Sequence, residues 1–180
     1  MKKYIFARNI DLNSPIVTNT HNYAFECAKK NETTWLSTPI YPWRTKVSKA
    51  DKISAIEDVK LPFLFNHGNR RLNSSKFIWE IYPYTNYILR PFSKFNYSSL
   101  ENPDVFFCGS LSLFSINKIL KPKKMVYNAH DLFSLYPGAP SSISKIENKI
   151  IQKSDLVVTT SEMTKAMLLN KYNVDKTKII

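Results

Sequence analysis

The sequence predicts an α/β fold: a Rossmann-like open parallel sheet with helices on both faces. Three observations predict it. Over the last eighty residues, apolar runs of strand length alternate with segments of helix length. Those runs, Asp104–Cys108 (DVFFC), Met125–Asn128 (MVYN) and Asp155–Thr160 (DLVVTT), are apolar almost without a break, as strands covered on both faces must be. The N-terminus adds a β-α-β pattern of its own. With 43% hydrophobic and 13% aromatic residues the 180-residue chain can close a core, and its length fits one domain over residues 1–180.

The first strand is Lys3–Ala7, ended by the polar Arg8-Asn9. A helix follows between Pro15 and Lys30, where Tyr23, Phe25, Cys27 and Ala28 supply apolar contacts with a poor period. Thr33–Ile40 is the second strand, closed by Pro39 and Pro42, which lack the N–H that a ladder needs. Between Tyr41 and Leu100 prolines, aromatics and basic residues alternate without a clean period. Leu61–Asn66 and Lys76–Tyr82 have strand character there, and Ser93–Leu100 reads as a loop or short helix. After Asp104–Cys108, Leu113, Ile116 and Leu120 fall at helical spacing, which predicts a helix over Ser110–Leu120. Ile143, Ile146 and Ile150 mark one face of a helix over Ser142–Lys153, and Ser144 with Glu147 has the spacing of a capping box. Ser161 is the expected N-cap of a last helix, with Glu162 in its first turn and Met163, Ala166 and Met167 along it. Lys178–Ile180 is a β-prone stub.

Composition excludes several chemistries. The three glycines, Gly68, Gly109 and Gly138, stand too far apart for a GxGxxG or Walker loop, so no glycine-rich phosphate cradle is encoded. Cys27 and Cys108 form no CxxC and read as reduced thiols. His21, His67 and His130 match no zinc spacing, so no metal site is expected. At the N-terminus Arg8 and Asn9 interrupt the apolar run too early for an export segment, and no stretch reaches the ~18 apolar residues of a membrane span. The expected location is the cytoplasm.

Parallel strands deliver their following loops, and the N-termini of the next helices, to one edge of the sheet, where ligands bind. Four strand ends turn polar at once: Arg8-Asn9, Gly109-Ser110, Asn128-Ala129-His130-Asp131 and Ser161-Glu162. Together they describe a cleft. His130 and Asp131 are the candidate catalytic pair, an imidazole that exchanges protons near neutrality beside a carboxylate that can bind sugar hydroxyls or act as a base. Equally, Asp131 caps the next turn and His130 fills the rim. Tyr136-Pro137-Gly138-Ala139 beyond them has the Pro-Gly centre of a type II turn. His67-Gly68-Asn69-Arg70-Arg71 is a second candidate, with Asn69 and Arg70 suited to an anionic ligand, and a solvated turn is the competing reading. Gly109 with Ser110 allows close backbone approach to a ligand. His21 and Cys27 read as structural.

A net charge of +12 accompanies aromatics interleaved with basic residues in the middle of the chain, Trp35, Trp43, Tyr82, Tyr84, Tyr87 and Phe92. Two partners fit: an anionic membrane surface, which attracts Lys and Arg and seats Trp and Tyr at the headgroups, and a nucleic acid, bound through phosphates and base stacking. General lysine bias is the third reading. No RNA- or DNA-binding motif is present, so the membrane is favoured over nucleic acid.

The run Val126-Tyr127-Asn128-Ala129-His130-Asp131-Leu132, through Glu147, to Ser154-Asp155-Leu156-Val157-Val158-Thr159-Thr160-Ser161-Glu162 resembles the end of the N-terminal domain in GT-B glycosyltransferases of the group 1 or family 4 type. The likeness is strong over residues 123–180 and topological before that. It implies one half of a GT-B fold, in which a nucleotide sugar bound mainly by a C-terminal domain gives its sugar to an acceptor held by this one. That acceptor would be a saccharide or lipid-linked sugar of cell-surface polysaccharide synthesis. On the resemblance, His130 and Asp131 match the family's cleft-facing loop, and Ser161 and Glu162 match the strand end near the interdomain cleft. No cofactor is implied, the nucleotide sugar being substrate. Where the family often has glycines after the first strand, this chain has Arg8-Asn9-Ile10-Asp11-Leu12-Asn13. The donor-binding domain has no counterpart within the 180 residues, so the expectation is an acceptor-side half, completed by a C-terminal donor domain or a partner subunit and inactive without it. A non-catalytic basic module that docks on anionic membrane or RNA is the competing class.

Overall fold

The computed structural model describes residues 1–37, 55–61, 77, 97–130, 132–137, 139 and 141–180. Six strands form one sheet in which every neighbouring pair is parallel: β1 (Lys3–Ala7), β2 (Glu32–Leu36), β3 (Ile56–Val59), β4 (Val105–Cys108), β5 (Lys124–Ala129) and β6 (Leu156–Thr159). Their order across the sheet is β3-β2-β1-β4-β5-β6. The chain therefore leaves β1 toward one edge and, after returning to β4, moves toward the other. Among the described residues four α-helices with both ends defined accompany the strands: α1 (Asn19–Ala28), α2 (Asn117–Leu120), α3 (Ser141–Lys153) and α4 (Glu162–Lys171). This is the Rossmann-like α/β sheet that the alternating runs predict.

Right-handed crossovers in opposite directions place helices on opposite faces. The side-chain alternation of β1 records this. Phe6 packs with Leu12, Ala24, Trp35 and Ile56 under α1, whereas Ile5 and Ala7 join the larger core on the other face with Phe106, Tyr127, Ile146 and Leu168. Ile5, Trp35 and Phe106 are wholly buried, and each such side chain contributes about 1.5–3 kcal/mol on leaving water.

Several boundaries differ from the sequence reading. A strand absent from the sequence reading is Ile56–Val59; Leu61 is buried just beyond it, and the rest of the expected run Leu61–Asn66 lies outside the described residues. Glu57 and Asp58 hide this strand from a hydrophobicity pattern, but at one end of the strand order Glu57 stays exposed and Asp58 accepts from the Ser37 hydroxyl. The expected strand over 76–82 also falls outside, apart from Phe77, which is helical and exposed. The helix expected over Ser110–Leu120 is a 3-10 turn (Ser112–Ile116) running into the single turn of α2, ended by Lys121 in the left-handed region at φ 49°. Asn117 donates its amide to the Phe114 carbonyl, the local competition that makes Ser and Asn poor in regular helix. Because α3 starts at Ser141, Ser144 lies inside the helix rather than at its cap, and Glu147 turns inward. The stub at the C-terminus makes one parallel bridge, Ile179 to Val157.

Candidate functional site: the crevice at the strand ends

The reversal of strand order falls between β1 and β4, and in open parallel sheets the crevice beyond the carboxyl ends at such a reversal is where ligands lodge. Arg8 and Asn9 follow β1, and Gly109 and Ser110 follow β4, so all four stand at this point. Gly109 donates its N–H to the Ala7 carbonyl at 2.8 Å, which holds the two exits side by side. The Ser112 hydroxyl sits against both arms of the Asn9 amide, 2.8 Å from Nδ2 and 3.1 Å from Oδ1, and its Oγ is 2.8 Å from that of Ser110. The crevice thus has a floor of neutral hydrogen-bonding groups.

Arg8 is 8% exposed and donates Nη1–H to the Thr20 hydroxyl at 3.1 Å. Asn128, near the end of β5, gives its Nδ2–H to the same oxygen at 2.8 Å. Thr20 therefore gathers donors from two strands on one atom in the first turn of α1. Neither Thr20 nor Ser112 is distinguished in the sequence, since the bonds that carry them across the crevice, to Asn128 and Asn9, span 108 and 103 positions. An Asn inside the apolar run of β5 was the available signal, because a buried amide must find partners.

The helix that carries Thr20 is fixed locally. His21 turns Nδ1 back to the Thr18 N–H at 3.1 Å and lies 2.9 Å from the Thr18 hydroxyl, while Nε2 faces the Asp11 carbonyl at 3.4 Å. Its ring stacks on Trp35 at 4.4 Å between centroids, and Trp35 donates Nε1–H to the Ile10 carbonyl at 2.9 Å. Desolvation, with a smaller push from Arg8, holds the His21 pKa below its ordinary value, against the raising effect of the Asp11 carbonyl. His21 is structural, as the sequence predicts. Asp11, in the loop after β1, pairs with Lys60 at 3.2 Å. Beneath Ser110, burial pushes the Cys108 thiol up to about 12, so at neutral pH it is protonated and donates to the Ser110 carbonyl.

His130 follows β5 and bends back, its N–H donating to the Asn128 carbonyl at 3.0 Å while Thr160 at the end of β6 reaches its carbonyl at 3.5 Å. Its Nδ1 is buried and has no hydrogen-bond partner among the described residues. Asp131, Asn69 and Arg70 lie outside the described residues. Ser161 and Glu162 stand on the same edge but after the outermost strand, three strand spacings from β1, or roughly 14 Å. Ser161 caps α4 by accepting from the Thr164 N–H at 3.1 Å; Glu162 is exposed at 3.9 Å from Lys165. The structure thus brings Arg8, Asn9, Gly109 and Ser110 together, sets His130 one strand away, and puts Ser161 and Glu162 at the far end of the rim.

On the opposite edge of the sheet a cleft of about 600 Å³ is lined by Lys118, Lys121, Lys153 and Asp155, among others. Its lysines sit at the C-terminal ends of α2 and α3, where exposed carbonyls favour cations, and Lys124 pairs with Asp155 at 2.8 Å. Helix-end compensation accounts for this charge without a ligand.

No known family and no curated protein matches the chain by sequence. Its structure is similar to a sucrose-phosphate synthase from Thermosynechococcus elongatus, with a TM-score of 0.63 over 94% of this chain at 10% sequence identity. The fold is that of a GT-B half-domain. The chain spans 45% of the length of that synthase. No helix among the described residues is long and apolar enough to cross a membrane.

Proposed function

We propose that this GT-B half-domain is the acceptor side of a glycosyltransferase of the group 1 or family 4 type, within one domain spanning residues 1–180. A nucleotide sugar held by a second, donor-binding half, supplied by a C-terminal domain or a partner subunit, would give its sugar to a saccharide or lipid-linked acceptor of cell-surface polysaccharide synthesis. The observation that carries this reading is the crevice at the strand-order reversal. Asn9 and Ser110, oriented by the buried Ser112 hydroxyl beneath them, are neutral donors and acceptors of the kind that pair with sugar hydroxyls, and the buried Nδ1 of His130 stands one strand away. In this reading His130 with Asp131 moves the acceptor proton, Arg8, Asn9, Gly109 and Ser110 hold the acceptor, Ser161 and Glu162 face the donor half, and Asn69 and Arg70 contact an anionic part of the substrate.

Calorimetric titration of the chain with saccharides and with nucleotide sugars tests the assignment. Saccharide binding that is lost in Asn9→Ala and Ser110→Ala, with only weak nucleotide-sugar binding, is the expected result. A tight stoichiometric complex with a nucleotide sugar would place the donor on this half and overturn it. The +12 charge supports a cytoplasmic protein held at the inner face of the cell membrane. Flotation with anionic vesicles and not with neutral ones is expected. An RNA shift without flotation would favour the non-catalytic nucleic-acid module instead.

A further inference from the structure

We infer that Glu147 is a positioning residue for the segment that carries His130, an inference that rests on the place given to His130 in the proposed crevice. Glu147 lies in α3, is wholly buried, and forms no ion pair with a lysine or arginine among the described residues. Its carboxylate instead collects hydroxyls. Tyr127 of β5 donates to Oε1 at 3.3 Å, Tyr172 just after α4 donates to Oε2 at 2.7 Å, and Ser134 donates to Oε2 from the 3-10 turn Phe133–Leu135. Tyr127 precedes His130 in the strand and Ser134 follows it in the turn. One carboxylate therefore grips the chain on both sides of His130.

The grip extends outward. Tyr172 lies 3.1 Å from the Ser134 hydroxyl as well, and Lys171 donates to the Ser134 carbonyl at 3.1 Å, so the turn is tied to the end of α4 by side chain and backbone alike. Burial drives the hydroxyls of Tyr127 and Tyr172 toward their protonated, donating forms, with the Glu147 charge acting in the same direction. A buried carboxylate loses its hydration, and an apolar side chain would fill the same space at less cost. What the carboxylate supplies and a leucine does not is direction: three donors from three separate elements must point at one group. Phe133 packs half-buried against the main core and edge-on to Tyr136 at 5.8 Å, which seats the turn, while the hydroxyl bonds to Glu147 fix its direction.

Hydrogen exchange over residues 130–137, combined with NMR of the His130 ring, tests this in the full chain. Glu147→Leu should speed exchange in that segment by about tenfold or more relative to α1 and shift the His130 ring resonances, as expected for a local opening rather than a global one. Glu147→Gln, which keeps an acceptor, should fall between. Ile150→Val, a buried side-chain change on the same helix that leaves the hydroxyl bonds of Glu147 in place, should move neither readout beyond the change in overall stability. Uniform acceleration across the sheet in Glu147→Leu, or an unmoved His130 ring, would overturn the inference. Should Glu147→Leu fail to fold, Tyr172→Phe removes one donor while keeping the ring, and the same two readouts decide. Neither readout needs sugar transfer: full transfer activity of a His130→Ala enzyme would remove His130 from the reaction and leave the positioning result standing.

Discussion

Asn9 and Ser112, 103 residues apart in sequence, meet across the reversal of strand order, the hydroxyl lying 2.8 Å from the amide nitrogen and 3.1 Å from the amide oxygen. The pair joins the exit of β1 to the turn after β4. Ser112 is wholly buried, so Ser112→Ala should cost about 1–3 kcal/mol, the range for losing a buried hydrogen-bond partner. It should also free the Asn9 amide to turn and weaken saccharide binding more than it weakens the fold. Denaturant melts and calorimetry on one preparation separate the two effects; unchanged binding would show that the Asn9 orientation is irrelevant to the ligand.

Thr20 offers a sharper contrast, because one oxygen receives both Arg8 Nη1–H and Asn128 Nδ2–H. Thr20→Val keeps the shape and removes the acceptor that two buried donors use, a loss of about 2–4 kcal/mol. Thr20→Ser keeps the oxygen and should lose well under half of that. Equal melting temperatures for the two variants would mean that the shared hydroxyl contributes nothing to the rim.

What could be read from the sequence follows from how local each feature is. Ser161 was legible as an N-cap because its partner, the Thr164 N–H, is three residues away. β4, β5 and β6 were legible because strands covered on both faces are apolar throughout, and a parallel sheet then sends Arg8, Gly109 and His130 to one edge. β3 was not, since Glu57 and Asp58 are tolerated only through their place at one end of the strand order beside β2. The missing members of the crevice, Thr20 and Ser112, failed to show because the bonds that carry them across it, to Asn128 and Asn9, span 108 and 103 residues. The spacing of Ser144 and Glu147 matched a local motif, whereas the fold uses Glu147 for contacts with Tyr127, Ser134 and Tyr172.

His21 gives the site a pH dependence whose sign is fixed. Its pKa in the folded protein lies below the ordinary value of about 6.5, so between the two values the unfolded chain binds more protons than the folded one. Stability from this group is therefore full above about pH 6.5 and is lost as pH falls toward the folded value. Protonation also removes Nδ1 as the acceptor for the Thr18 N–H, at the start of the helix that carries Thr20. Glutamine at this third helical position can accept the same bond without titrating, so His21→Gln should flatten the dependence of melting temperature on pH between about 7 and 5. A slope as steep as that of the unsubstituted protein would assign the pH effect to another group.

Gly109 separates ligand approach from folding. A Cβ built there meets the Ala7 carbonyl at 3.5 Å and the Arg8 side chain at 3.6 and 3.7 Å, all ordinary contacts, so alanine fits without strain. Gly109→Ala should leave stability unchanged or raise it by up to about 1 kcal/mol, because the unfolded chain loses freedom. The added methyl would nevertheless stand at the exit of β4, beside Arg8. If a saccharide packs against the backbone there, its affinity should fall severalfold while the melting temperature holds. Intact binding in a fully stable Gly109→Ala protein would move the ligand off this strand end and toward His130.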